Sequence, residues 1–238
     1  MFKIEINNIY NIDCKEGLQS IADESIDAII TDPPYNTHIK GNRMNKRVKM
    51  KNFFDDSFES LEYESLVNFC SKEFFRVLKN NKPLYLFINW KSYPLWYFYL
   101  EKAGFKLKNC IVWDKEVHGL NYQNYAYRHE FLIFATKGDF FPLKKETEIY
   151  RTDIWCYRRD LFRDNTNKHA TEKPLFLCRK IIEHATLKHD VILDPFVGGG
   201  NIILSALVKC RNYIGFEIEK TFYDYALNKI KNYDRWWF

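Results

Sequence analysis

At 238 residues the chain is long enough for one well-cored α/β domain, and a single domain over residues 1–238 is the expectation. Its apolar stretches fall far short of the roughly 20 residues that a membrane span needs, and Met1-Phe2-Lys3-Ile4-Glu5 is no secretory start, so a cytoplasmic protein with no membrane partner is expected. Six cysteines without a C-x-x-C spacing argue against a disulfide framework and a zinc site, and 36 basic residues against 31 acidic ones is a mild imbalance that is unevenly spread.

Residues 3–9 alternate weakly in polarity, and Asn11-Ile12-Asp13-Cys14 leads into a short helical pattern. Residues 25–31 are nearly continuous in apolar character, the mark of a strand buried on both faces of a parallel sheet. That strand runs straight into Asp32-Pro33-Pro34-Tyr35. Ligands of α/β sheets bind at the carboxyl ends of strands, and two prolines fix φ at this one. Asp32 offers a carboxylate, the residues after it offer carbonyls outside any ladder, and Tyr35 offers a ring. Those features suit a flat base with an exocyclic amine, whose two protons go to the carboxylate and a carbonyl while the ring stacks on its face. The bland alternative is a strand-terminating turn with a capping aspartate.

Residues 37–58 read as a long loop carrying Lys40, Arg43, Lys46, Arg47, Lys49 and Lys51, with no acid from Pro33 through Phe54. Directly beyond a base pocket, such a loop points to a clamp on a phosphate backbone, against the plainer reading of a solvated loop. The spacing over 61–79 predicts an amphipathic helix with Leu66, Val67, Cys70, Phe74, Val77 and Leu78 facing the core. Strands are predicted over 83–89, 105–113 and 130–137, an exposed loop over 119–128, and a helix over 93–103 whose Trp96 and Tyr97 pack in the core. Residues 139–168 lack clear periodicity and mix Arg158, Arg159 and other basic residues with aromatic ones.

Thr171 is placed to cap a helix over 175–185 that has Pro174 early in it. Val191-Ile192-Leu193 is a short apolar run, followed by Asp194-Pro195-Phe196-Val197-Gly198-Gly199-Gly200-Asn201 and an apolar stretch over 202–208 at helical spacing. This is strand, tight turn, helix. Residues 212–217 form a second strand ending in Glu217, about 20 residues past the glycines, where dinucleotide-binding folds place their ribose-hydroxyl acceptor. The unit reads as a nucleotide-cofactor cradle, yet it lacks both G-x-G-x-x-G and Gly-Lys-Ser/Thr, so it is poorly suited to phosphates. Only 21 residues follow Glu217, room for one helix over 221–231 and a tail, so the rest of the sheet comes from the preceding sequence. A first βαβ unit standing last implies a permuted sheet.

Together, Asp32-Pro33-Pro34-Tyr35 and Asp194-Pro195-Phe196-Val197-Gly198-Gly199-Gly200 resemble the catalytic and cofactor motifs of the DNA amino-methyltransferases, in the permuted motif order of the beta group. Segments 11–14, 25–36, 111–115, 130–138, 169–174 and 214–217 fall in that family's order, so the resemblance covers nearly the whole chain. It implies a Rossmann-like α/β fold, S-adenosylmethionine-dependent, with a mostly parallel sheet and helices on both faces. It further implies methyl transfer to the N6 amine of a flipped adenine in double-stranded DNA, with Asp32, Pro33, Pro34 and Tyr35 as the catalytic residues. Cofactor contacts implied in the same way are Asp13, Cys14, Asp32, His169, Thr171, Lys173, Asp194, Pro195, Phe196, Gly198, Gly200, Asn201 and Glu217. DNA contacts would come from the six basic residues of loop 37–58 and from Arg158 and Arg159 in a target-recognition region at about 139–168. No metal is expected, since no Cys/His/Asp cluster accompanies His169.

The chain departs from the family at Ala170 and Glu172, where proline and glutamine are common. Aspartate at position 32 is typical of the adenine enzymes, serine of many cytosine ones, and asparagine of those acting on RNA or protein amides. None of the cysteines sits in a Pro-Cys setting beside a glycine-bearing loop, which argues against methylation of a ring carbon. N4-cytosine methylation and a non-catalytic DNA-binding subunit of the same fold stand as alternatives. Homodimerisation, a cognate restriction endonuclease and the recognition sequence are left open.

Overall fold

The structure, a computed structural model, describes residues 3–35, 60–116, 125–143, 152–157 and 172–233. In chain order the elements are β1 (Asn8–Tyr10), α1 (Cys14–Gln19), β2 (Ala28–Thr31), α2 (Ser60–Val77), β3 (Lys82–Ile88), α3 (Tyr93–Ala103) and β4 (Lys106–Asp114). There follow β5 (His129–Lys137), β6 (Ile154–Cys156), α4 (Leu175–Ala185), β7 (Val191–Asp194), α5 (Asn201–Val208), β8 (Asn212–Phe216) and α6 (Lys220–Lys231). All eight strands join one sheet in the order β1-β8-β7-β2-β3-β5-β4-β6. Strand β5 is antiparallel to β3 and β4, and every other pairing is parallel.

Strand alternation sorts the core into two layers. Ile29 and Leu84 face α1, α2 and α3 through Leu18, Phe74 and Trp96, whereas Ile30 and Tyr85 face α4, α5 and α6 through Ile181, Ile203 and Ala226. Because both faces of β2 are covered, all four of its residues are buried, which is why its sequence is continuously apolar. The six apolar residues expected on the core face of α2 are all buried.

Three expectations need correction. Tyr97 is not a core residue: it is 38% exposed, while Trp96 and Leu100, four apart on one helical face, are fully buried. Pro174 stands at the cap of α4 rather than inside its first turn, with its carbonyl accepting from the amides of Leu177 and Cys178 at 3.1 Å each. Within the aperiodic interval 139–168, residues 154–156 form β6, which adds parallel to β4 and buries Trp155; three residues are too few to show a period.

The order of connection matters most for function. From β7 the chain crosses by α5 to β8 on one side, and from β2 it crosses by α2 to β3 on the other, with α5 and α2 on opposite faces. Neighbouring strands β7 and β2 therefore straddle the point where the winding direction reverses, and the crevice at their carboxyl ends is where such sheets bind ligands. Asp32 follows β2 and Asp194 ends β7, so the two motifs converge there.

Candidate active site

Asp194 is fully buried, and its Oδ1 accepts from Thr31 Oγ1 at 2.7 Å, tying β7 to β2, and from the Phe196 amide at 3.2 Å. Its Oδ2 is buried with no hydrogen-bond partner, and burial pushes the carboxyl up to about 7. Gly198 and Gly200 both lie at positive φ. A Cβ on Gly198 would meet nothing within 4 Å because it faces open space, whereas one on Gly200 would lie 2.9 Å from the Ala226 Cβ of α6. The loop is thus open toward a ligand and closed against its own helix. Glu217, just past β8, closes the other wall: Oε2 accepts from the Gly198 amide at 2.7 Å and Oε1 from the Glu219 amide at 2.8 Å. Burial holds its carboxyl above the ordinary value.

Beneath this cradle lies Lys229 of α6, 4% exposed, which donates to the Gly199 carbonyl at 2.7 Å and to Asn201 Oδ1 at 2.9 Å and forms an ion pair with Glu172. Asn201 in turn donates from Nδ2 to the Lys173 carbonyl at 2.8 Å. Asp13 caps α1 by accepting from the Lys15 amide at 2.7 Å, and Cys14 is buried beside it.

The tetrapeptide is held just as firmly. Tyr63 of α2 donates to the Pro34 carbonyl at 3.0 Å, and Ser92 Oγ, before α3, donates to the Tyr35 carbonyl at 2.7 Å. Among the described residues the Pro33 carbonyl receives no hydrogen bond. The Tyr35 hydroxyl donates to Asp32 Oδ1 at 2.5 Å, and Lys173 Nζ donates to Asp32 Oδ2 at 2.5 Å while lying 5.3 Å from the centre of the Tyr35 ring. Burial pushes the Asp32 carboxyl above its ordinary value against the pull of Lys173, and it pushes the Tyr35 hydroxyl well up.

Both motifs open onto one cavity of about 860 Å³. Its walls include Asp13, Cys14, the tetrapeptide, Lys173, residues 195–202 and Glu217, so the expected site residues that are described come together there, except Asp194, which lies beneath the wall. His169, Thr171, Arg158, Arg159 and the six basic residues of loop 37–58 lie outside the described residues. Among the described residues, seven acidic side chains line the cavity against two lysines. Such a wall repels phosphates and suits a cofactor with positive charge, in keeping with the missing phosphate motifs.

Several lining residues were not given a site role by sequence, among them Glu130, Glu172, Leu61 and Glu219, and Leu66, expected only as core. A signal existed for Glu130, because it shares a strand face with the buried Leu132 and Phe134, and a charge on an apolar face marks a paired or functional group. Lys229, next to Ile230 on the apolar side of α6, carries the same signal.

A permuted, doubly wound sheet with an acidic-walled glycine cradle and a second acidic motif at one switch point defines an α/β protein that holds a nucleotide-type cofactor against a substrate pocket. Residues 26–228 match the DNA methylase family model of the N6/N4 group, and the chain belongs to that family, which is S-adenosylmethionine-dependent. The type II methyltransferase M2.MboI of Moraxella bovis is 30% identical over 90% of this chain and 84% of its own length. M.HinfI of Haemophilus influenzae, also a type II methyltransferase, is 28% identical over 97% of this chain and 71% of its own. Among solved structures, the M1.HpyAVI complex with S-adenosylmethionine superposes with a TM-score of 0.68 at 26% identity, over 93% of this chain and 98% of that one. The cytosine-N4-specific PvuII DNA methyltransferase superposes with a TM-score of 0.72 over 98% and 93%, but at 15% identity it shares the fold alone.

Proposed function

We propose that this protein transfers a methyl group from S-adenosylmethionine to the N6 amine of an adenine flipped out of duplex DNA. The observation that carries the reading is the convergence of Asp32-Pro33-Pro34-Tyr35 and the glycine cradle on one acidic cavity. Gly198, Phe196 and Glu217 would hold the cofactor, and the orphaned Oδ2 of Asp194 beneath the wall fits a cofactor bearing a cationic amino-acid end. When bound, that cofactor supplies a methyl group already activated by its positive sulfur.

The chain's own work is to place the amine. Asp32 accepts one N–H and the Pro33 carbonyl the other, since the carbonyls of Pro34 and Tyr35 are engaged by Tyr63 and Ser92. The Tyr35 hydroxyl, which covers Asp32 Oδ1, gives way as the base enters and its ring stacks on the base. Two accepted hydrogen bonds favour a pyramidal nitrogen whose lone pair is free to attack, and proximity supplies the rest. No covalent enzyme intermediate is needed. Aspartate at position 32, the residue typical of adenine enzymes in the family it resembles, supports adenine over cytosine. A cognate restriction endonuclease, a homodimer and a cytoplasmic setting belong to the same reading, as does DNA backbone contact by loop 37–58 and by Arg158 and Arg159.

The test is incubation with unmethylated genomic DNA and S-adenosylmethionine, followed by nucleoside digestion and mass spectrometry. N6-methyladenine is expected. N4-methylcytosine would overturn the base assignment, and no methylated nucleoside despite intact cofactor binding would overturn the activity.

A further inference from the structure

Behind Asp32 runs a line of buried charges that methyl transfer, as derived above, does not call upon. Lys173 Nζ lies 2.5 Å from Asp32 Oδ2 and 3.2 Å from Glu130 Oε2, and Glu130 Oε1 lies 2.5 Å from Lys115 Nζ. The side chains are 23%, 5%, 18% and 14% exposed in the order Asp32, Lys173, Glu130, Lys115. Four elements contribute one charge each, alternating in sign: the ends of β2 and β4, the start of β5 and the segment before α4. As a stabilising device this is poor, because buried ion pairs seldom outdo apolar side chains of the same volume. As a means of fixing the state of one carboxylate it is well made.

Resting on the reading of Asp32 given above, we propose that Lys173 is a positioning residue for methyl transfer. It holds Asp32 ionised and binds Oδ2, so that Oδ1 is the oxygen presented to the target amine, while Glu130, backed by Lys115, holds Lys173 in place. The other groups facing Asp32 do not supply this. Tyr35 from its own loop is a neutral phenol, Cys178 of α4 is a thiol that burial keeps neutral, and Asp194 of β7 disfavours a second negative charge. Lys173 is the cation at Asp32 among the described residues. Glu130 is pushed up by burial, but Lys173 and Lys115 outweigh this and hold it at about 2, so it stays charged throughout the working range. Lys173 is thereby assigned to the acceptor side of the site, although the sequence had suggested the cofactor side.

The two partners act on Asp32 with opposite sign, which provides the test. With unmethylated duplex DNA, kcat/KM is measured from pH 5 to 9 for the parent, Lys173→Met, Lys173→Arg and Glu130→Gln, and cofactor affinity is measured by calorimetry. Loss of a cation in contact moves a carboxylate by roughly 1–3 pH units. Lys173→Met is therefore expected to move the acidic limb up by at least about one pH unit, with Lys173→Arg restoring most of it. Glu130→Gln is expected to move the limb down, and cofactor affinity should change less than about threefold in all three. An unmoved limb in Lys173→Met, or limbs moving the same way in Lys173→Met and Glu130→Gln, overturns the proposal. So does a loss of cofactor affinity that accounts for the lost rate. Should Lys173→Met fail to fold, Lys173→Gln takes its place, with the same upward shift expected and an unmoved limb again overturning the proposal. Asp32→Ala separates the levels: if it transfers methyl normally the role given to Asp32 falls and this inference with it, whereas an inactive Asp32→Ala beside an unmoved Lys173→Met limb sinks this inference only.

Discussion

Lys229→Met is the substitution for which the structure fixes the outcome most closely. Its ammonium is buried beneath the cofactor cradle and engages Glu172, the Gly199 carbonyl and Asn201 Oδ1. Methionine fills much the same volume, so no large cavity opens, but Glu172, itself 4% exposed, loses its buried counter-charge. Breaking a buried pair from one side costs about 3–5 kcal/mol. In a chain of this length each kcal/mol moves the melting temperature by about 2–4 °C, so a fall of roughly 6–20 °C is expected. The double variant Glu172→Gln/Lys229→Met removes both charges and leaves mainly the lost hydrogen bonds, at about 1 kcal/mol each. It should be more stable than Lys229→Met by about 2 kcal/mol or more, the sign of strong coupling. Equilibrium urea denaturation of the four proteins in the cycle measures this. Additive single effects, or a Lys229→Met protein within about 1 kcal/mol of the parent, would refute the reasoning.

Three further outcomes follow from the site. Asp32→Ala is expected to abolish methyl transfer, by at least about a hundredfold as for other lost transition-state contacts, while a calorimetric titration still shows cofactor binding. Gly200→Ala forces a side chain into a φ of 83 against Ala226, so cofactor affinity should fall at least tenfold and the melting temperature should drop; unchanged affinity would count against the cradle. Asp194 titrates at about 7 when folded against 3.8 for an ordinary aspartate, so the unfolded chain releases this proton first and stability is lost as pH rises from about 4 to 7, by up to roughly 4 kcal/mol. Asp194→Asn keeps an oxygen for Thr31 and the Phe196 amide yet cannot titrate, and its denaturation midpoint should fall less between pH 5 and 7.5 than that of the parent.

Much of this was legible in the sequence because the informative residues lie next to one another along it. The tetrapeptide and the glycine loop each announce themselves within eight residues, and β2 and α2 carry long apolar patterns that no neighbour overrides. What could not be read depends on partners far away. Glu130 and Lys173 meet only because β5 inserts antiparallel beside β3, bringing its first residues to the carboxyl end of the sheet. Glu172 looks like a plain departure from the family until Lys229, 57 positions later, appears beneath it. Tyr97 failed for a local reason: helix α3 is aromatic on more than one face, and composition alone does not tell which face meets the sheet.

The stitch from Thr31 to Asp194 joins residues 163 positions apart, and β1, near one end of the chain, lies against β8, near the other. Donor and acceptor machinery are therefore spatial neighbours whichever is synthesised first. Joining the two ends and reopening a surface connection would rewrite the order of the motifs in the gene without disturbing a hydrogen bond in the crevice. Motif order in such enzymes is in this sense a record of ancestry, on which the chemistry places no constraint.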